Sequence, residues 1–409
     1  MIPYTILDHY DNYLLDWQLD KTLFGFLNQE ETKLLSRYTD KYTYHYFTKT
    51  PVDEYVPWEN IFQCNSITNK QALKEKHFFL IMTPHMDIMK IHDYLYNLNQ
   101  HNNILVDAWK CFPKDLSNAI NNNQCTFLIN LSHEDTKRHK HVEYYWLKWF
   151  EYANIKKTSN VHLITSTHYE NNKSLLNWIH WEHFETAVKD CVGIPETTVT
   201  FHKDMKKFLC LNLRPKRERI QFMKKLENAG VLDNMNYSLV TETEHVEYDV
   251  FKTDYRKDST IDDRIQLMPD NDPWNVIKPM FMKDNLIFIV TETCVDSNSL
   301  FLTEKIFKPI KMKMPFIVHA QPYALRKLKE YGYKTFSSLW EESYDEIHNI
   351  NERMDAIVQL IRSLNELTTK ELYNKIQGIK DILQHNYDNM MKRVPEQKLL
   401  DLINEKTNN

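Results

Sequence analysis

Apolar and polar positions along the chain fall into short blocks whose period switches between that of a strand and that of a helix. HFFLIM (77–82), NILVDAW (103–109), CTFLINL (125–131) and VHLITST (161–167) are apolar runs of strand length. Stretches with helical spacing near 87–99, 113–122, 140–153 and 173–188 accompany them. Strands that alternate with helices predict a parallel, doubly wound sheet covered on both faces. A second set follows: FLCLNL (208–213), YSLVTE (237–242), NLIFIV (285–290) and PFIVHA (315–320), with helices near 215–229, 303–312 and 322–331. Past Trp340 the chain is polar and helical, with about three helices over 341–408. The segment Cys191 to Lys207, which holds a glycine and a proline between two periodic regions, reads as a linker. The expected fold is therefore α/β: two Rossmann-like parallel-sheet domains, 1–195 and 205–409, facing a cleft, with closing C-terminal helices. The aromatic stretch Tyr38 to Phe47 alternates like a strand or ribbon and has no assigned role.

Composition narrows the chemistry. A chain of 409 residues is long enough for two cores. It contains five glycines, far below average usage, so a GxGxxG turn or a Walker loop is absent and phosphate recognition falls to side chains and helix ends. Six cysteines stand scattered without a CxxC or zinc spacing and read as reduced, mostly buried thiols. With no apolar run of membrane-spanning length and no signal-peptide pattern, the expectation is a soluble, cytoplasmic protein with no membrane partner. The formal net charge of −5 gives no global attraction to nucleic acid, so contact with DNA would rest on local patches.

The segment around Leu302-Thr303-Glu304-Lys305-Ile306-Phe307-Lys308-Pro309-Ile310 is the most informative. It lies between two apolar runs that read as central strands. A helix capped by Thr303 would put Glu304, Lys305 and Lys308 on one side and Ile306, Phe307 and Ile310 on the other. Pro309 sits too deep for an ideal helix with that cap, which predicts a kink or a later start. A helix N-terminus at the carboxyl edge of a sheet, with a lysine beside it, suits a leaving diphosphate. The same residues also suit an ordinary surface helix with a Glu304–Lys308 pair. Leu211-Asn212-Leu213-Arg214-Pro215-Lys216-Arg217 brings a strand end, a guanidinium and a proline at a helix start, so Arg214 and Arg217 are candidate diphosphate ligands or a solvated basic face. Thr291, Glu292 and Asn298 occupy the turn after NLIFIV.

These blocks resemble the donor-binding half of glycosyltransferases with the two-domain GT-B architecture. The Thr-Glu-Lys step followed by a strand carrying Pro-Phe-Ile is similar to the signature of fucosyltransferase-like enzymes. It is closer still to glycosyltransferase-like proteins of tailed phages and large DNA viruses, mainly over Phe208 to Tyr344. The resemblance implies a nucleoside diphosphate sugar as donor substrate, of UDP-sugar type, with no cofactor and no metal. It implies that the turn of Thr291, Glu292 and Asn298 approaches the nucleoside, that Glu304 accepts hydrogen bonds from ribose hydroxyls, and that Thr303, Lys305 and Lys308 act with Arg214 and Arg217 at the diphosphate.

A hydroxyl acceptor needs a general base. Leu131-Ser132-His133-Glu134-Asp135 follows a strand and matches a Ser-His-Glu step in the resembling proteins, which makes Glu134 the first candidate with His133 and Asp135 beside it. Asp87, in Thr83-Pro84-His85-Met86-Asp87, is the next, and each also suits a plain loop cap. The viral resemblance makes a hydroxymethylated pyrimidine in phage DNA one acceptor and a host cytoplasm the setting; a glycan or protein is the rival acceptor. Lys137 to His141 beside Tyr144, Tyr145, Trp146 and Trp149 suits phosphate contact and base stacking, or plain surface over a core helix. His133, His139 and His141 read as a solvated basic loop, and His180 and His183 as packed residues of an aromatic helix rather than metal ligands. The reading from another class is a catalytically silent, two-domain interaction or nucleic-acid-binding protein. Oligomeric state is not encoded in these patterns.

Overall fold

The computed structural model describes residues 3–6, 58–63, 68–82, 112–132, 143, 146–147, 150–151, 153–168, 174–190, 200–212, 216–239, 283–296 and 299–408. The expected strand NILVDAW, the helix near 87–99 and the aromatic stretch Tyr38 to Phe47 lie outside them. The chain divides into two units, Met1–His183 with Glu396–Asn409, and Phe184–Pro395.

In the first unit five strands form a parallel sheet: β1 (Tyr4–Ile6), β2 (Phe78–Met82), β3 (Cys125–Asn130), β4 (Val161–Thr165) and β5 (Asn177–His180), side by side in chain order. Every residue of β2 and β3 is buried, which is why their runs are mainly apolar, with only Thr126 and Asn130 polar in β3, instead of alternating. The two-residue period then splits them between two cores. Phe78, Leu80, Phe127 and Ile129 face Leu116, Ile120 and Phe150. Phe79, Ile81 and Leu128 face Tyr4, Trp58, Phe62 and Trp181.

β5 corrects the helix expected over 173–188. Asn177–His180 is a strand paired with β4, and the helix starts only at His183 and ends at Asp190. The buried Glu143 carboxylate pins the start of β5 by accepting from the Leu175 and Leu176 amides, the Ser174 hydroxyl and the Trp178 indole N–H. Those bonds hold the segment extended. A second difference concerns the last helix, Gln397–Asn408: the sequence grouped it with the second half, yet Leu399 and Ile403, one turn apart, pack in the first unit's core with Tyr4 and Trp58.

The second unit carries β6 (Lys206–Asn212), β7 (Met235–Leu239), β8 (Asn285–Thr291) and β9 (Phe316–His319), all parallel, in the spatial order β7-β6-β8-β9. β8 is buried along its whole length. The helix Arg217–Asn228 presents Phe222, Met223 and Leu226 to this sheet's core, and Ile350–Asn365 adds Met354, Ile357, Val358, Ile361 and Leu364 at helical spacing. The tail past Trp340 forms four α-helices where about three were expected: Ile350–Asn365, Thr369–Gln377, Lys380–Lys392 and Gln397–Asn408. No helix among the described residues is long and apolar enough to cross a membrane.

Candidate functional site

The strand order of the second unit reverses between β6 and β8, because the chain goes from β6 outward to β7 and then returns to the other side of β6. In open parallel sheets such a switch point leaves a crevice outside the carboxyl ends of the two strands. Asn212 and Thr291 end those strands, and the Thr291 hydroxyl donates to Asn212 Oδ1 at 2.6 Å. Arg219, in the first turn of the helix after β6, donates from Nη2 to the Thr291 and Glu292 carbonyls at 3.2 and 3.3 Å. Lys216 donates to the Thr293 carbonyl at 2.7 Å. From the other direction, the buried Arg353 donates to the Val295 carbonyl. Three cations thus fix the backbone of the turn that follows β8.

Thr303 caps the helix Glu304–Lys311, accepting from the Lys305 amide. The helix starts directly after this cap, which corrects the expectation of a later start. Pro309 lies inside it and removes only the bond its N–H would have made to the Lys305 carbonyl, while burial of Ile306, Phe307 and Ile310 holds the turn. The Thr303 hydroxyl donates to Glu292 Oε2 at 2.5 Å and its amide to Glu292 Oε1 at 3.1 Å, so Glu292 ties the turn to the helix start. Lys305 Nζ donates to Glu304 Oε1 at 2.6 Å, Thr293 Oγ1 at 3.0 Å and Thr303 Oγ1 at 3.1 Å, and remains 24% exposed.

The two carboxylates are buried but differ in electrostatics. Burial raises Glu292 above its ordinary range despite the nearby Lys305. Burial would also raise Glu304, but Lys305 and Lys308 outweigh it and hold this carboxyl below the usual range. Its Oε2 is buried and accepts no hydrogen bond among the described residues. At the end of β9, the His319 ring stacks on Phe222 with centroids 4.9 Å apart. Burial, with Arg353 and Arg219 nearby, drives its imidazole down to about 3, so it is neutral near pH 7. Neither ring nitrogen has a hydrogen-bond partner among the described residues.

Thr291, Glu292, Thr303, Glu304 and Lys305 are therefore brought together, with Lys308 one turn on and half-buried. Arg217 is exposed on the first helical turn, and the guanidinium that reaches the strand ends belongs to Arg219. The charged side of the capped helix is not uniformly open either, since Glu304 is buried. Arg214, Asn298, Glu134, His133, Asp135 and Asp87 lie outside the described residues. Arg219, Asn212, Lys216, Thr293 and His319 were not singled out from the sequence. Arg219 left a legible signal, an arginine on the apolar stripe Arg219, Phe222, Met223, Leu226 of its helix.

No family model matches the chain, and no curated protein matches it. Among solved structures it is similar to a crystal structure of TarM, with a TM-score of 0.37 and 12% identity over 81% of this chain and 55% of that one. The chain thus spans about half the length of that protein.

Proposed function

We propose that this chain is a glycosyltransferase of GT-B type that takes a nucleoside diphosphate sugar at the switch point between β6 and β8. The observation that carries the proposal is the pairing, at one helix start, of a cation with a carboxylate oxygen that is buried and unpartnered: Lys305 and Glu304 Oε2. A buried acceptor without a donor is costly unless a ligand supplies one. Two vicinal ribose hydroxyls are such donors, and the diphosphate that follows them in a nucleotide needs the positive charge that Lys305, Lys308 and the helix N-terminus offer. Arg219 acts through the backbone it holds, while Arg214 and Asn298 complete the donor side in this reading.

In the reaction, an acceptor hydroxyl oxygen bonds to the anomeric carbon as the bond from that carbon to the diphosphate oxygen breaks. The hydroxyl proton passes to a base, for which Glu134 is proposed with His133, Asp135 and Asp87 as neighbours or substitutes. The nucleoside diphosphate leaves with the bonding electron pair, and Lys305 stabilises the developing charge. Basic side chains do this work, so donor binding is proposed to need no metal and no cofactor. The proposed acceptor is a hydroxymethylated pyrimidine in DNA, and a cytoplasmic setting fits it.

Titration calorimetry of the full chain against nucleoside diphosphates, with a chelator present, tests the donor site. Binding of one nucleotide, weakened tenfold or more by Lys305→Ala, is expected (about 1.4 kcal/mol per decade). If no nucleoside diphosphate binds, the proposal fails. Mass spectrometry of nucleosides from DNA produced alongside the protein tests the acceptor: a sugar-adducted pyrimidine supports it, and unmodified DNA in a host that makes hydroxymethylated bases refutes it.

A further inference from the structure

A second site stands at the carboxyl edge of the other sheet. β4 and β5 end at Thr165 and His180, which are register partners, and the segments beyond them are tied together. The Trp181 amide donates to the Thr165 carbonyl at 2.9 Å, the Ser166 hydroxyl donates to the Trp181 carbonyl at 2.7 Å, and the His183 amide donates to Ser166 Oγ at 3.3 Å. This lacing brings His168 and His180, whose ring centroids stand 4.0 Å apart, to the Glu182 carboxylate. Among the described residues, each of the three offers one donor atom, all within 4.8 Å of one another.

The spacing is informative. His168 Nε2 and His180 Nε2 stand 3.8 and 3.6 Å from Glu182 Oε1. These separations are too long for charge-assisted hydrogen bonds, which close to about 2.7–2.9 Å. Donors bound tetrahedrally at about 2.0–2.1 Å from a zinc ion lie about 3.3 Å apart, close to what is seen. Glu182 is 2% exposed, and neither of its oxygens has a hydrogen-bond partner among the described residues. A buried carboxylate without donors requires a positive partner. The two histidines are only partly buried, so one side of the group is open to solvent.

We propose that His168, His180 and Glu182 bind one divalent transition-metal ion, zinc by the donor set, with a fourth position left for water or a ligand oxygen. Two imidazoles and one carboxylate suit zinc over calcium or magnesium, which favour all-oxygen shells. The site is independent of the nucleotide site proposed above, which lies in the other unit and uses no metal. It also revises the expectation that His180 is a packed helical residue, since the ring ends a strand.

Metal analysis of the purified full chain, followed by chelator treatment and zinc titration against a chromophoric competitor, is the test. One equivalent of zinc is expected, and cobalt in its place should give the intense visible absorption of a four-coordinate site. His168→Gln, which changes a partly exposed donor, should retain the far-UV circular dichroism of the parent and weaken zinc by roughly 100-fold. Glu182→Gln should do the same, while His385→Gln, in the other unit, should leave binding unchanged. The proposal is overturned if no stoichiometric zinc binds, leaving a Glu182–imidazolium cluster, or if folded His168→Gln binds zinc as tightly as the parent. Equal weakening by His385→Gln would also overturn it, by showing scattered surface histidines as the ligands. Nucleotide titration of the same samples keeps the two sites distinguishable, because zinc removal is expected to leave donor affinity unchanged.

Discussion

Lys305→Met removes the cation that stands between two buried carboxylates, and its cost follows from the geometry. In the parent, Lys305 Nζ is 2.6 Å from Glu304 Oε1 and also holds the hydroxyls of Thr293 and Thr303. A pair at contact distance in a medium of effective dielectric near 20 interacts by about 4 kcal/mol. Lys305 keeps some water, and Lys308 still faces Glu304, so a net loss of about 2–3 kcal/mol is expected at pH 7.5. For a domain of this size that is a fall of roughly 5–10 °C in Tm. The double variant Glu304→Gln/Lys305→Met leaves Glu292 as the one carboxylate of the two deprived of its lysine and should recover about half of the loss, a coupling of about 1 kcal/mol or more. The pH dependence has a definite sign. In the parent, Glu304 is held below its ordinary value, so its contribution is present above the unfolded carboxyl range and is lost as the pH falls through the folded value. With Lys305 gone, burial raises the same group, so the deficit of the single variant should shrink as the pH is lowered from 7.5 toward 5. Scanning calorimetry of the four proteins at both pH values measures all of this. A Lys305→Met cost below about 0.5 kcal/mol, or a double variant no more stable than the single one, would refute the electrostatic reasoning at this helix start.

Glu134→Gln should leave donor affinity near the parent value while turnover falls by roughly two to four orders of magnitude, read from calorimetry and steady-state rates together; a normal rate would remove Glu134 as the base. His319 is held neutral down to about 3 in the folded chain against about 6.5 unfolded, so stability present above pH 6.5 should be lost as the pH falls toward 3, by an amount on the order of 4–5 kcal/mol. Urea melts across that range should show a shallower acid limb for His319→Gln, and an unchanged limb would count against the burial of a neutral imidazole. If the acceptor is DNA, its affinity should drop steeply between low and moderate salt, and a flat response in a filter-binding series would point to a small or neutral acceptor.

Much of this fold was legible because central parallel strands leave an unmistakable trace. β3, β6, β8 and β9 fall within two residues of the apolar runs that announced them, since burial on both faces leaves their centres mainly apolar. The Thr303 cap was legible for a similar reason: a threonine before a charged and apolar helical stripe has few other uses. β5 was not. Its four residues are followed at once by a true amphipathic helix, and the combined pattern over 173–188 reads as one long helix. What makes it a strand is the Glu143 carboxylate more than thirty residues earlier in the chain, a contact that local periodicity does not carry. The grouping of His168 with Glu182 escaped the sequence for the same reason, because it depends on how β4 and β5 align. Arg219 was passed over in favour of Arg217 two residues earlier, although helical rotation places the two on different faces.

The helix Gln397–Asn408 gives this chain an unusual order of assembly. Ribosomal synthesis delivers the whole of Phe184–Pro395 before the segment that closes the first unit's core has emerged. Until then the face carrying Tyr4, Phe79, Ile81, Leu128, Ile164 and Trp181 lacks the Leu399 and Ile403 side chains that pack with it. The unit that begins first is thus completed last, and its apolar face stays exposed for the time needed to translate the other unit, roughly ten to forty seconds at about 5–20 residues per second. A nascent chain with such a pending surface is a natural client for a holdase chaperone, and truncation before Gln397 should damage the unit that holds Tyr4 and Trp181 more than the unit Phe184–Pro395.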